Sequence, residues 1–398
     1  MRGCRILIVT PQPFYEERGT PIAVRHVAHA LSTLGCEVDV LAFPVGKGVA
    51  FQNCRILRTP NPTRIRNVPI GFSYRKLFLD SLLAWKLRGL LRDTDYDCVH
   101  AVEEAVFLAV PLCAKRRLSL IYDMASSLPE QLRDQFPFQR LHAYLDRLEA
   151  WALNNVNQVL CSSGLRDHCA KSAPDTPVQE WWFPVCEHVV PHEQVAQLRT
   201  ELKIPDTGKV LLYAGSFASY QGLPYVVEAV PRVLAVRDNA YFVLVGASAN
   251  EAARVMTAID PAARAHIRIV TRQPREKMPL FLQLADFLIS PRAMGKNVPL
   301  KIYDYMASGK PILATRIHAH EVLLDETRAA FFHPSGQQLA ETILELWSHP
   351  LEAQRLGDNA RNYALDCFSW SRFVDFVGGV YGSVLNSKPF AGKNVCPR

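Results

Sequence analysis

The stretch Ser290-Pro-Arg-Ala-Met-Gly-Lys-Asn-Val-Pro-Leu-Lys-Ile-Tyr-Asp-Tyr-Met-Ala-Ser-Gly-Lys-Pro311 decides the fold. The apolar run Phe287–Ser290 enters it as a buried strand, and a loop follows that carries Arg292 and Lys296. A helical pattern opens with Pro299 at its first position, where a missing N–H is harmless. The helix ends at Gly309, a residue suited to the turn past a helix, and Pro311–Ala314 reads as the next strand. Strand, loop, helix and strand in this order make a βαβ unit of a parallel sheet. The free N–H groups of the turn that Pro299 opens, at Leu300 and Lys301, lie at the positive end of the helix dipole, a setting that suits a phosphate. Lys301 adds a full charge, and Asp304, one turn deeper, can accept from two vicinal hydroxyls, as on a ribose. Read by residue type alone, Lys296 and Lys301 are also ordinary solvated charges and Asp304 an ordinary polar-face residue. The position of the cluster, just past a strand, is where open α/β sheets take their ligands.

The same alternation runs outward in both directions. Strands are predicted at Lys209–Ala214, Ala240–Val245 and Ile267–Val270, with helices between them. In the first half, strands at Arg5–Thr10, Glu37–Phe43, Cys98–Val102, Leu118–Asp123 and Gln158–Ser162 alternate with helical stretches at Ile22–Leu34, Phe78–Leu91 and Gln139–Asn154. The polar, proline-containing segment between the two halves breaks the pattern. The expected fold is α/β: two doubly wound, Rossmann-like domains, 1–185 and 208–370, facing across a cleft, with 186–207 as a linker and 371–398 as a C-terminal segment.

Composition narrows the class. The chain has 398 residues, 49% apolar and 21% charged, which excludes a disordered, collagenous or coiled-coil protein. Its apolar runs fall far short of a bilayer span of roughly 18–20 residues, and Ile6–Val9 is too short for a signal-peptide core. The expected location is the cytoplasm. Ten cysteines are scattered singly with no C-x-x-C, the pattern of reduced, packed thiols rather than zinc ligands or a disulfide frame. Between Thr10 and Thr20 the only glycine is Gly19, so a G-x-G-x-x-G cofactor loop is absent, and there is no Walker lysine loop. A D-x-D at Asp93-Thr94-Asp95 precedes a strand instead of following one and reads as a helix-end turn, so no metal is expected. The net charge of +7 suits phosphate-bearing ligands or anionic lipid, while no nucleic-acid motif accompanies it.

The segment Asp304-Tyr-Met-Ala-Ser-Gly-Lys-Pro-Ile-Leu-Ala-Thr315 resembles the donor-binding motif of the family 4 glycosyltransferases of the GT-B fold, whose usual form ends in "EAMASGKPVVAT". Val210–Gly215 with Tyr220-Gln-Gly222 and Glu228-Ala229 is similar to the family's "YVG…KG…LLEA" opening of its second domain, and Phe242–Gly246 to its "LVIVG" strand. Leu356-Gly-Asp-Asn-Ala-Arg361 and Phe368-Ser-Trp370 resemble its closing "LG…NAR…FSW". The first half agrees more loosely, through Arg18-Gly19-Thr20 in place of a glycine-rich loop, Arg25-His26-Val27, and Asp97–His100.

This resemblance implies a retaining, metal-independent transfer of a sugar from a UDP- or GDP-linked donor to a glycan or lipid-linked acceptor, in cell-envelope polysaccharide or glycolipid synthesis. It implies an acceptor-side domain at 1–185, a donor domain at 208–370, and a C-terminal segment crossing back to the first domain. Donor binding falls to Gly19, Thr20, Ser216, Gln221, Arg292, Lys296, Pro299, Leu300, Lys301 and Asp304. Two departures stand out. The position eight before Asp304, where the family has the first of two carboxylates, is Lys296. The family's Arg and Lys in the first loop of the second domain appear here as Ser216 and Gln221, which hydrogen-bond a diphosphate without neutralising it. Arg292, Lys296 and Lys301 are expected to supply the missing charge.

The family often has a histidine near the transferred sugar after the fourth or fifth strand; Asp123 occupies that place here. His100, followed by Glu103 and Glu104, ends an earlier strand, though a strand histidine also reads as a bonded core residue. The expected catalytic set is Asp123, His100 and Lys301, with Trp181 and Trp182 as packing. Residues 64–92 carry Arg64, Arg66, Arg75, Lys76, Lys86, Arg88 and Arg92 against the single acid Asp80, interleaved with Phe72, Tyr74, Phe78 and Trp85. Such a basic amphipathic helix fits peripheral contact with an anionic membrane, or a packed helix with a solvated rim. Two rival readings remain at this point: a GT-B-shaped nucleotide-sugar epimerase, and a non-catalytic binding protein with a degenerate donor site.

Overall fold

A computed structural model describes residues 1–16, 19–48, 51–66, 68, 73–133, 139–185, 190–295 and 297–387. In chain order the first half contains β1 (Arg5–Val9), α1 (Gly19–Thr33), β2 (Glu37–Ala42), β3 (Cys54–Arg58), α2 (Tyr74–Asp93), β4 (Cys98–Val102), α3 (Ala105–Arg116), β5 (Ser119–Met124), α4 (Leu128–Arg133), α5 (Gln139–Leu153), β6 (Gln158–Cys161), α6 (Arg166–Ser172) and β7 (Val178–Glu180). The second half contains α7 (His192–Glu201), β8 (Lys209–Ala214), α8 (Leu223–Leu234), β9 (Ala240–Ala247), α9 (Ala249–Ala258), β10 (Ile267–Thr271), α10 (Met278–Leu284) and β11 (Phe287–Ser290). It continues with α11 (Leu300–Ala307), β12 (Ile312–Thr315), α12 (His318–Glu321), β13 (Ala330–Phe332), α13 (Gly336–Ser348) and α14 (Pro350–Phe368), and the chain ends in α15 (Trp370–Asn386).

The chain divides into two compact units, Met1–Phe183 together with the chain from Ser371, and Pro184–Trp370. In the first unit seven parallel strands run in the order β3-β2-β1-β4-β5-β6-β7; in the second, six run β10-β9-β8-β11-β12-β13. Each order reverses direction once, between β1 and β4 and between β8 and β11, and that switch point opens a crevice at the carboxyl ends of the strands. Central strands are buried on both faces, as helices covering both sides of a parallel sheet require. Ile6–Val9 and Val210–Tyr213 are fully shielded from solvent. Each unit has its own core, one built around Leu7, Val99 and Leu120 and the other around Leu211, Phe242 and Ile289.

Three strands have no counterpart in the sequence reading: β3, β7 and β13. They are short and lie at sheet edges, and β3 is only half-buried, so its Cys-Arg-Ile-Leu-Arg lacks an apolar run. The 186–207 segment is not merely a linker, since α7 fills His192–Glu201 and buries Leu198, while Ile204 behind it is also buried. Pro299 lies one residue outside its helix: its ψ of 129° is extended, making it the N-cap and Leu300 the first helical residue. The D-x-D sits where α2 ends, with Thr94 as its C-cap, and Arg92 pairs with Asp93. Among the described residues no helix is long and apolar enough to cross a membrane.

Candidate functional site

At the switch point of the second unit, the loops after β8 and β11 are knitted together. Gly215 leaves β8 with φ 153°, a conformation that side chains avoid; a Cβ there would lie 2.9 Å from the Tyr213 hydroxyl and 3.3 Å from Lys301 Nζ. Gly246, φ 119°, lets the end of β9 pass under this turn, because a Cβ would meet the Gly215 carbonyl oxygen at 2.1 Å. A side chain at position 215 would therefore crowd the Lys301 amine. The Tyr213 hydroxyl donates to Ser216 O at 2.6 Å, and the Ala293 amide donates to Tyr220 O at 2.9 Å, so the loops share one backbone frame.

Lys301, in the first turn of α11, donates to Gln221 Oε1 at 3.2 Å and lies 4.3 Å from the centroid of the Tyr213 ring. Burial, and then the like charge of Arg292, pull its amine down to about 7. An ammonium so destabilised gains more from an arriving anion than a solvated lysine does. Tyr305 anchors the same helix to the sheet, its hydroxyl accepting from the Ala214 amide at 2.9 Å. Gln221 is buried, and Ser216 sits directly after Gly215.

Arg292 serves its own loop. Nε donates to Met294 O at 2.8 Å and Nη1 to Asn297 O at 2.9 Å, and the guanidinium lies over the Tyr220 ring at 5.5 Å. Its charge therefore reaches the site mainly as a field. Lys296 lies outside the described residues. Asp304 is ion-paired: Arg275 Nη2 is 3.1 Å from both of its carboxylate oxygens, and the two side chains are 27% and 29% exposed. Sequence reading missed Arg275; its one signal is its position in the loop following β10. Also missed were Tyr213 and Tyr220, whose rings shape the pocket around the two cations.

In the first unit His100 and Asp123 lie within the packed sheet. Both are buried, 0% and 3% exposed. His100 Nδ1 is 2.7 Å from the Tyr381 hydroxyl and Nε2 is 3.3 Å from Asp123 Oδ2, while Trp181 Nε1 donates to Asp123 Oδ1 at 2.7 Å. Tyr381 belongs to α15, so this polar chain ties the last helix to the ends of β4 and β5. With an indole on one oxygen of Asp123 and an imidazole near the other, these contacts read as a tie between packed elements, and none of them is a contact expected of a catalytic group. Gly19 and Thr20 open α1 beyond the end of β1. At the end of β4, Glu103 accepts from Ser126 Oγ at 3.1 Å, and its carboxyl is pushed up to about 8 by burial and by neighbouring Glu104 and Asp123. Lys76 of α2 pairs with Glu104, fastening the start of that helix to the strand ends. No group of three or more His, Cys, Asp or Glu suited to a metal ion occurs among the described residues.

Two α/β units in tandem, each with a single switch point and with the last helix returning to the first, define the GT-B architecture. The pattern of the family described as "Glycosyl transferases group 1" matches residues 208–349, and that of "Glycosyltransferase Family 4" matches residues 18–169, together about three quarters of the chain. The chain is 21% identical to a phosphatidyl-myo-inositol mannosyltransferase of Mycobacterium leprae, over 96% of this chain and 98% of that one. Among solved structures, sucrose-phosphate synthase of Thermosynechococcus elongatus superimposes with a TM-score of 0.75 at 17% identity, covering 96% of this chain and 99% of the other. HepE of Anabaena, in complex with UDP-glucose, gives 0.74 at 15%, covering 95% and 99%. The chain belongs to glycosyltransferase family 4, the nucleotide-sugar-dependent enzymes of GT-B fold.

Proposed function

We propose that this chain transfers a sugar, with retention of configuration, from a UDP- or GDP-linked donor bound by the Pro184–Trp370 unit to a glycan or lipid-linked acceptor, working against an anionic membrane surface. The observation that carries the donor half is Lys301, an amine pulled down to about 7 where the first turn of α11 meets the glycine turn after β8. As the glycosidic bond lengthens, negative charge grows on the departing diphosphate. Donors already fixed in place stabilise that charge without reorganising: Lys301, the amides of Leu300 and Lys301, and the amide side chain of Gln221. Ser216 adds a hydroxyl, Arg292 contributes its field, and Asp304 takes ribose hydroxyls. This chemistry needs no carboxylate pair flanking the bond, unlike a retaining hydrolase.

The acceptor half rests on α2. Leu79, Leu83, Leu87 and Leu91 are buried on one side. Tyr74, Phe78 and Trp85 stand 86%, 41% and 66% exposed on the other, in line with exposed Arg88 and Arg92. Aromatic rings flanked by arginines on the solvent face of a helix suit the headgroup layer of an anionic bilayer. The relative named for a phosphatidyl-myo-inositol acceptor supports a lipid-surface reading.

Titration calorimetry with UDP, GDP, UDP-glucose and GDP-mannose tests the donor half; a chain that binds none of them refutes it. Sedimentation with vesicles containing phosphatidylglycerol, against phosphatidylcholine alone, tests the membrane half. The wild type is expected to pellet with the anionic vesicles, and a Phe78→Ser/Trp85→Ser variant to stay in solution. Equal behaviour of the two proteins refutes it.

A further inference from the structure

Beneath the loop that carries Arg292 lies a buried polar relay that the reading above leaves without a role. Ser290, the last residue of β11, Thr315, the last of β12, and His320 of α12 are each 0% exposed. His320 Nδ1 lies 2.9 Å from Thr315 O. A carbonyl only accepts, so Nδ1 carries the proton and Nε2 keeps its lone pair. Ser290 Oγ, 2.9 Å from Nε2, is therefore the donor there. Thr315 Oγ1, 3.2 Å from Nδ1, donates its own proton to the carbonyl of Arg292 at 2.6 Å. The direction of every bond follows from two acceptor-only groups, the carbonyls of Thr315 and Arg292. The imidazole is held neutral: burial, with the nearby charges of Lys301 and Arg292, takes its pKa down to about 4.

Three polar side chains have been sealed from water at the point where two strands end, in a place where apolar residues would fill the volume with no desolvation penalty. The backbone atom they fix is the carbonyl of Arg292, two residues past β11. From there the order spreads outward. The Arg292 guanidinium closes the loop on Met294 O and Asn297 O, and the Ala293 amide bonds Tyr220 O in the neighbouring loop. The loop then delivers the chain to Pro299 and the first turn of α11, where Lys301 stands.

We propose that Thr315 and His320 are positioning residues for the donor diphosphate: the His320–Ser290–Thr315 relay holds the Arg292 loop, and through it the cationic pocket, in the shape that receives the phosphates. This rests on the donor-site reading above. Neither residue touches the ligand; both act through the Arg292 carbonyl.

The test compares Thr315→Val, which keeps the volume and loses the hydroxyl, with Thr315→Ser, which keeps the hydroxyl and loses a methyl. UDP and GDP serve as binding probes, and donor KM, kcat and thermal midpoint are measured in parallel. Thr315→Val is expected to bind nucleotide five- to tenfold more weakly and to raise donor KM by a similar factor, leaving acceptor KM within twofold of wild type. Thr315→Ser is expected to restore donor binding to within twofold. If Thr315→Val fails to fold, Ser290→Ala, which releases Nε2 while leaving Thr315 in place, is expected to weaken nucleotide binding two- to fivefold. Serine that rescues no better than valine, or a loss confined to the thermal midpoint, overturns the proposal. Lys301→Met separates this failure from that of the donor site. If it binds nucleotide as well as wild type, the donor reading fails; if it loses affinity while Thr315→Val and Ser290→Ala do not, only the positioning role fails.

Discussion

Lys301 makes donor affinity depend on pH in a direction that geometry fixes. In the unliganded chain its amine is pulled down to about 7, first by burial and then by Arg292. A diphosphate in contact with it restores the ordinary lysine range, so above pH 7 binding must carry in a proton. Affinity then falls toward a limit of about tenfold per pH unit, roughly 1.4 kcal/mol each, or about fifty-fold between pH 7 and pH 9. Ligand titration does not imitate this, because the terminal phosphate of UDP or GDP has a pKa of about 6 and is ionised throughout that window. Calorimetry in two buffers of different ionisation enthalpy should show close to one proton taken up per nucleotide at pH 8.5. In Lys301→Met the slope should vanish. At pH 6.5 that variant loses a charge-assisted bond of about 1.5–3 kcal/mol, at least tenfold in affinity, and the gap to wild type should narrow steadily as the pH rises to 9. Nucleotide affinity that stays flat from pH 7 to pH 9, or a variant that keeps the slope, refutes the reasoning.

The same amine affects folding with a definite sign. Its folded pKa is depressed, so between about 7 and the ordinary 10.5 the unfolded chain holds the extra proton, and stability climbs as pH rises through that window. Lys301→Met should remove this dependence and melt higher at pH 7, by about 2–4 °C for each 1 kcal/mol gained. Gly246→Ala should lower the melting temperature and abolish nucleotide binding, since its φ of 119° and a Cβ at 2.1 Å from the Gly215 carbonyl leave no relaxed conformation; a loss of at least about 2 kcal/mol is expected, and a variant of wild-type stability would contradict it. Tyr381→Phe should cost about 1–3 kcal/mol in urea denaturation by leaving buried His100 Nδ1 unpaired, with kcat/KM unchanged once the protein is folded. A drop in kcat/KM would return His100 to the catalytic set.

Much of this protein is legible in its sequence, and for a physical reason. A central parallel strand is covered on both faces and must be an unbroken apolar run, as at Ile6–Val9 and Val210–Tyr213, so strands of that kind announce themselves. The βαβ unit at Ser290–Pro311 is equally open to reading, because a proline before a helix and a glycine after it are local requirements. Edge strands such as β3 carry no such mark. Their existence depends on a neighbour that offers hydrogen bonds, as β2 offers them from Val38 to Ala42.

The site divides along the same line. Lys301 and Asp304 can be chosen from sequence because they lie at fixed distances from a helix start, and Gln221 because it falls where the family motif has a basic residue. What each does is a matter of what packs on it. Arg275 on Asp304 is 29 residues away, Gln221 on Lys301 is 80, and Tyr381 on His100 is 281. Residue type and spacing gave His100 and Asp123 the look of catalytic groups; burial against α15 made them a structural tie. Local spacing is written in the chain, whereas desolvation and the choice of partner arise only when distant segments exclude water together.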